Sequence, residues 1–164
     1  MGLDLSQKTI AVIGGTGFVG RAIVEKLAAT GARILILARN TERAKSLKVF
    51  GAVGQISAVA GNALNDDDLA AIIEPADMVV HLIGILAPSG RQKFETLQAE
   101  LPGRIGKMAA LNGVENIVHI SAIGASLKSP SLYARTKAEG ERALLRQFPS
   151  AVVLRPSVIF GPGD

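Results

Sequence analysis

Cysteine and tryptophan are missing from this chain of 164 residues. The first absence excludes disulfides, thiolate metal ligands and a cysteine nucleophile. Aromatic residues reach only 4%, against 48% hydrophobic residues in all, so the core has to be aliphatic. No run of five or six Lys/Arg occurs, so nucleic-acid binding has no electrostatic footprint here. The most apolar stretch, residues 76–87, contains His81 and falls far short of the ~20 residues that span a bilayer. The opening MGLDLSQK has no charged region followed by an apolar one, so it reads as no secretory signal. It does match the loose N-myristoylation pattern through Met1, Gly2 and Ser6, although a strand begins only two residues later. A cytoplasmic location is compatible with all of this.

What is present is small, apolar and slightly basic. Glycine occurs 18 times and the formal net charge is +4. That charge is either a mildly basic surface or an attraction for a polyanionic cofactor or an acidic membrane face. The length fits one domain with a proper core.

Strand and helix patterns alternate from end to end. Residues 8–14 (KTIAVIG) read as a buried strand. A helix over 17–30 follows, with Val19, Ile23, Val24 and Leu27 on one face and Gly31 closing it. Residues 33–38 form a second buried strand, and Thr41 is positioned to cap a helix over 42–50 that stops at Gly51. Residues 55–60 are a weaker strand. A short helix then begins at Asn65 or Asp66, where Asp66, Asp67 and Asp68 suit the positive end of its dipole better than they suit a metal. Residues 77–82 and 116–121 are further strands. Between them 92–112 is mostly helical, with Pro102 marking a kink or restart. Residues 133–148 form a long helix and 151–155 a sixth strand. Continuous apolar strands alternating with helices imply an α/β fold, a parallel sheet covered on both faces. Six strands make the doubly wound Rossmann order 3-2-1-4-5-6 the expected one.

The first strand runs directly into Gly14, Gly15, Thr16, Gly17, Phe18, Val19 and Gly20. The spacing of Gly14, Gly17 and Gly20 meets three demands of a dinucleotide loop. The first glycine makes the tight turn, the second lets a pyrophosphate reach the backbone, and the third lets helix and sheet pack closely. Free N–H groups at the helix start then bind phosphate. NAD sites place an acidic residue at the end of the second strand, to bond the ribose 2′-hydroxyl. This chain has Ala38 and Arg39 there, with Arg43 one helical step on. A guanidinium suits a 2′-phosphate, which favours NADP(H) over NAD(H). NAD(H) stays open, since Arg39 could instead stack on the adenine.

Tyr133 and Lys137 lie four residues apart on one helical face. A nearby ammonium lowers a phenol's pKa, so such a pair serves as acid or base beside a nicotinamide ribose. With the glycine loop, these residues resemble the extended short-chain dehydrogenase/reductases, which include NAD-dependent epimerases and dehydratases. The likeness covers almost the whole chain. It rests on Gly14 to Gly20, His81 to Gly84, Ser121, Tyr133 with Lys137, and the closing LRPSVIFGPGD. It implies that Asn62 and Ala63 lie near the adenine. Leu82, Ile83 and Gly84 would flank the ribose and nicotinamide, and Pro156 and Val158 would border the nicotinamide. Ser121, Tyr133 and Lys137 would be the catalytic set and touch the cofactor as well.

One branch is closer still. GGTGFVG, HLIG, the short interval from Ser121 to Tyr133 and FPSAVVLRPSVIFGPGD resemble the nucleotide-binding accessory subunit of respiratory complex I and its bacterial homologues. That implies bound NADPH, a structural or assembly role, and a place at a respiratory complex or peripheral to the inner membrane. Sugar epimerases usually carry their catalytic hydroxyl on the second residue of a Ser-Ser or Ser-Thr pair ending strand five, and here that pair is Ser121 and Ala122. Extended members also continue beyond RPxxxxGPGD into a substrate-binding part, so residues 1–164 read as the dinucleotide-binding domain without it. Three functions follow as alternatives: an oxidoreductase or epimerase acting on an unknown small-molecule substrate, a non-catalytic NADP(H)-binding accessory subunit, and a redox-sensing regulator.

Overall fold

Six short apolar segments form one sheet in the computed structural model, which describes residues 5–90 and 93–164. The myristoylation pattern at Met1 and Gly2, and the expected helix start at Gln92, lie outside the described residues. The strands are β1 (Thr9–Ile13), β2 (Arg33–Ala38), β3 (Ile56–Ala60), β4 (Met78–His81), β5 (Asn116–Ile120) and β6 (Val152–Leu154). All neighbours pair in parallel, in the order β3-β2-β1-β4-β5-β6. This is the doubly wound Rossmann order, with helices α1 (Phe18–Ala28), α2 (Thr41–Lys45), α3 (Asp66–Ile73), α4 (Leu101–Leu111) and α5 (Leu132–Gln147) as crossovers.

Alternation along each strand divides the core in two. Ala11, Ile13, Leu35, Leu37, Val79 and Ile117 pack beneath Leu69, Ile72, Leu101, Ile105 and Leu144 of α3, α4 and α5. On the other face Ile10, Val12, Ile34, Ile36 and Val80 meet Val24 and Ala28 of α1, with Ala44 and Leu47 beyond. Both faces of the central strands are therefore buried, which is why they read as unbroken apolar runs. Coverage thins at the β6 edge. Val152 and Leu154 pair with Val118 and Ile120 and are 49% and 47% exposed.

Two details differ from the sequence expectation, and one choice it left open is decided. The cap of α2 is Asn40 rather than Thr41, because the Asn40 Oδ1 accepts the Glu42 amide at 3.0 Å and Thr41 is already helical. Asparagine is the stronger N-cap. The expected helix over 42–50 is α2 followed by a tighter 3-10 turn, Ser46–Phe50, that ends at Gly51. Asn65, not Asp66, caps α3 by accepting the Asp68 amide.

The segment before α4 carries the main surprise. Glu95–Glu100 is wound as a π-helix, and α4 restarts with Pro102 in its first turn, where a missing N–H is tolerated. Proline has no N–H to offer the carbonyl four residues back, that of Gln98. A Cβ on Gly140 of α5 would stand 1.9 Å from that same carbonyl oxygen. Only glycine at 140 therefore lets α5 lie this close to the π-turn.

Candidate functional site

The strand ends, not the strands, carry the polar and glycine residues. Gly14 follows β1 with φ +96, a conformation open to glycine. Its carbonyl accepts the Gly17 amide at 3.2 Å, and Gly17 then opens α1 by accepting the Arg21 amide at 3.0 Å. The three glycines have separable roles. A Cβ on Gly20 would stand 2.3 Å from the Gly14 carbonyl oxygen, so this glycine serves packing. Gly15 is buried, and a Cβ there would press on the side chains of Val12 and Ile36 at 3.1 Å. Gly17 is exposed, and a Cβ there would find only an ordinary 3.4 Å contact. The chain gains nothing internal from glycine at 17. A ligand that approaches the backbone does.

A cleft of about 580 Å³ opens in front of this loop, at the carboxyl edge where β1 separates β2 from β4. Doubly wound sheets bind ligands at that switch point. Of the residues singled out in the sequence, Gly14, Thr16, Gly17, Arg39, Asn62, Ala63, Leu82, Ile83 and Gly84 line it. Phe18 and Val19 begin α1 outside the lining, and Arg43 stands exposed on α2. Sequence reading missed Leu37, Gly61, Leu64, Ile85 and Leu97 in the same wall. Leu97 comes from the π-turn and had no motif to announce it.

Ser121, Tyr133, Lys137, Pro156 and Val158 lie beyond this cavity, on or after β5, α5 and β6. Pro156 accepts the Ile123 amide through its carbonyl at 2.9 Å, and Val158 is exposed. Lys137 links the two regions. Its side chain is buried, its Nζ donates to the Ile120 carbonyl at 3.3 Å, and a Cβ on Gly84 would stand 3.0 Å from Nζ. Burial lowers the Lys137 pKa to about 8, with Glu141 pulling it back up. Glu141 is itself held by Arg155, whose Nε donates to it at 2.9 Å. Tyr133 packs edge-on against Phe94, with ring centroids 5.9 Å apart, and its phenol pKa is raised by burial. Ser121 is buried, and its Oγ has no hydrogen-bond partner among the described residues. An open glycine backbone, an arginine at the β2 end and this orphaned hydroxyl fit a dinucleotide lying across the edge.

Behind these groups sits a pair that the sequence did not reveal. His81 and His119 are aligned by the β4–β5 register, stacked with centroids 4.8 Å apart, and joined Nδ1 to Nδ1 at 2.9 Å. One ring must donate and the other accept, so the two hold opposite tautomers. Burial is the first cause holding both pKa values down, His81 well below the usual value and His119 to about 4. Lys137 adds to the depression at both rings.

A family model described as NAD(P)H-binding matches residues 14–157. A mouse protein, NADH dehydrogenase [ubiquinone] 1 alpha subcomplex subunit 9, mitochondrial, is 33% identical over 98% of this chain and 43% of its own length. The ceramide reductase of Caulobacter vibrioides is 29% identical over 97% of this chain and 49% of its own. The chain thus spans less than half of these relatives. An NAD-bound short-chain dehydrogenase/reductase superfamily protein of Agrobacterium tumefaciens superposes with a TM-score of 0.72. It is 23% identical, over 90% of this chain and 48% of its own, so it speaks for the fold alone.

Gly17→Val should leave the melting temperature nearly unchanged and abolish dinucleotide binding by excluding the pyrophosphate. Gly20→Ala should destabilise the fold by about 3 kcal/mol, through forced overpacking. A Gly17→Val protein that bound with full affinity would remove the loop from the phosphate site.

The histidine pair predicts acid sensitivity. Both folded pKa values lie below the unfolded value of about 6.5. The unfolded chain therefore takes up protons that the folded one refuses, and stability that is full above about pH 6.5 is lost as pH falls toward about 4. Melting temperatures measured across that window should fall. They should fall less steeply in a His81→Leu/His119→Leu double variant; an unchanged slope would assign the effect elsewhere.

Proposed function

The chain belongs to the NAD(P)H-binding family, and from that premise we propose that it is a short-chain dehydrogenase/reductase-like domain that holds NADP(H) in preference to NAD(H), as the nucleotide-binding part of a respiratory-complex accessory subunit. Binding of a nicotinamide dinucleotide follows from the family itself. Arg39 carries the finer reading. It lines the cleft directly after β2, where an NAD site would present a carboxylate. The nearest acid beyond it, Glu42, is paired with Lys45 at 2.7 Å. A guanidinium in that place recognises a 2′-phosphate and cannot accept a hydroxyl proton. Gly17 would receive the pyrophosphate, and Leu82 to Gly84 would meet the ribose on the nicotinamide side.

The accessory role is supported by what surrounds Tyr133. Its phenol is shifted away from ionisation, and Lys137 turns its ammonium to the Ile120 carbonyl. Ala122 offers no hydroxyl to orient a substrate carbonyl. The mouse relative is named as a subunit of NADH dehydrogenase [ubiquinone], and this chain aligns with 43% of it. No helix among the described residues is long and apolar enough to cross a membrane. The second reading is a carbonyl reductase, favoured by the tyrosine–lysine pair and by the Caulobacter relative. A bound dinucleotide would then supply hydride, with Tyr133 the proton donor and Ser121 the orienting hydroxyl.

Thermal shifts separate the cofactors. At about one hundred times its dissociation constant NADPH should add about 2.7 kcal/mol, raising the melting temperature by roughly 5–10 °C, with NADH at equal concentration doing less. Arg39→Asp should invert the order. Equal shifts in the native protein would leave the NADP(H) preference without support.

Turnover separates the roles. The chain should bind NADPH yet consume none with simple aldehydes and ketones, and Tyr133→Phe should reduce the thermal shift by no more than about 4 °C, the loss of a single hydrogen bond of about 1 kcal/mol. Reduction that disappears in Tyr133→Phe would establish the reductase.

A further inference from the structure

Gln98 is the one fully buried side-chain amide among the described residues, and nothing in the glycine loop or the tyrosine–lysine pair assigns it a task. It sits on the π-turn, and both ends of its amide are used. The Oε1 accepts the Ile85 amide at 3.2 Å, and Nε2 donates to the Thr136 hydroxyl at 3.1 Å. Ile85 belongs to the cleft wall beside Gly84. Thr136 stands between Tyr133 and Lys137 on α5 and donates in turn to the Leu132 or Tyr133 carbonyl, at 2.9 and 3.1 Å. Gln98 Oε1 and Lys137 Nζ both come within 4 Å of a single point, the place a Cβ on Gly84 would occupy.

We propose that Gln98 is a positioning residue, which ties the nicotinamide-side wall of the cleft to the turn of α5 that carries Tyr133 and Lys137. The proposal rests on the dinucleotide reading of the cleft. The amide suits this task for three reasons. It satisfies a part-buried backbone N–H and a buried hydroxyl at once, with an acceptor and a donor carried on one planar group. It reaches across because the π-turn widens the helix at that point, and π-turns recur at functional sites. It is also neutral. A carboxylate of the same shape, close to the Lys137 ammonium, would favour the charged form of the lysine. The amide leaves that charge to be set by burial and Glu141.

A strut with no further role would lose only stability on substitution. A positioning residue also changes the lysine and the ligand. Four variants of the full chain are compared, with NADPH as the probe and the Lys137 ammonium followed by NMR titration without ligand. Gln98→Glu keeps the shape and should raise the Lys137 midpoint by about one unit or more. Gln98→Leu breaks both bonds and should weaken NADPH about tenfold, the loss expected for one or two hydrogen bonds. Thr136→Val cuts the link from its other end and should weaken NADPH similarly, and Thr136→Ser should restore it. An unmoved Lys137 midpoint in Gln98→Glu, or native NADPH affinity in a folded Gln98→Leu, overturns the proposal. If Gln98→Leu does not fold, native affinity in Thr136→Val does so instead. A native protein without NADPH affinity would sink the dinucleotide reading, while the Lys137 titration would still decide the role of Gln98.

Discussion

One carbonyl oxygen, that of Gly14, organises the nucleotide end of the molecule. The Gly17 amide bonds to it, and the first turn of α1 passes so close that residue 20 has no room for a Cβ. That crowding holds α1 against β1 and aims its free amides outward over the cleft. A Cβ on Gly14 itself would meet the backbone of Leu82 and Ile83 at 3.0–3.1 Å, so the loop after β4 is positioned by the same contact. Both walls of the cleft therefore depend on a few backbone atoms at which side chains are excluded. The site is shaped by what glycine leaves out.

The fold was legible because its signals are local and repeated. Each central strand is buried on two faces, so KTIAVIG and RILILA admit one reading, and Gly14, Gly31 and Gly51 punctuate the elements where a turn or stop is needed. Legibility failed by one residue at Asn40, where two adjacent polar side chains compete for one amide and only geometry chooses between them. It failed more deeply before α4. Pro102 announced an interruption, but an interruption by a kink and one by a wider turn look alike in sequence, since the outcome depends on how closely Gly140 lets α5 approach.

The site divides along the same line. Gly17 and Arg39 could be placed from the spacing of the glycines and the end of a strand, Gly84 only through the family resemblance, and all three line the cleft. The buried polar layer behind them could not be placed. His81 and His119 are 38 positions apart and meet only because β4 and β5 run in one particular register. Gln98 and Thr136 are equally distant and join elements that no local pattern connects. Polar residues inside a core read as ambiguous, because the partner that makes burial tolerable is supplied by tertiary structure. Tyr133 shows the converse. Its spacing to Lys137 was plain, whereas the burial that raises its pKa was not.

The π-turn has one more consequence, in length rather than composition. Such a turn holds a residue beyond what the surrounding α-helix would need. Removing one residue from the segment Glu95–Glu100 would let regular helix close across it. The flanking residues could keep their faces, Leu101, Ile105 and Ala109 in the core and Phe94 against Tyr133, because the wide turn is what absorbs the additional residue. The positions within the turn would be redistributed, taking Leu97 from the cleft wall and Gln98 from Ile85 and Thr136. A deletion there would thus keep the hydrophobic pattern and lose the site, so the number of residues between Phe94 and Pro102 matters to this domain as much as their identity.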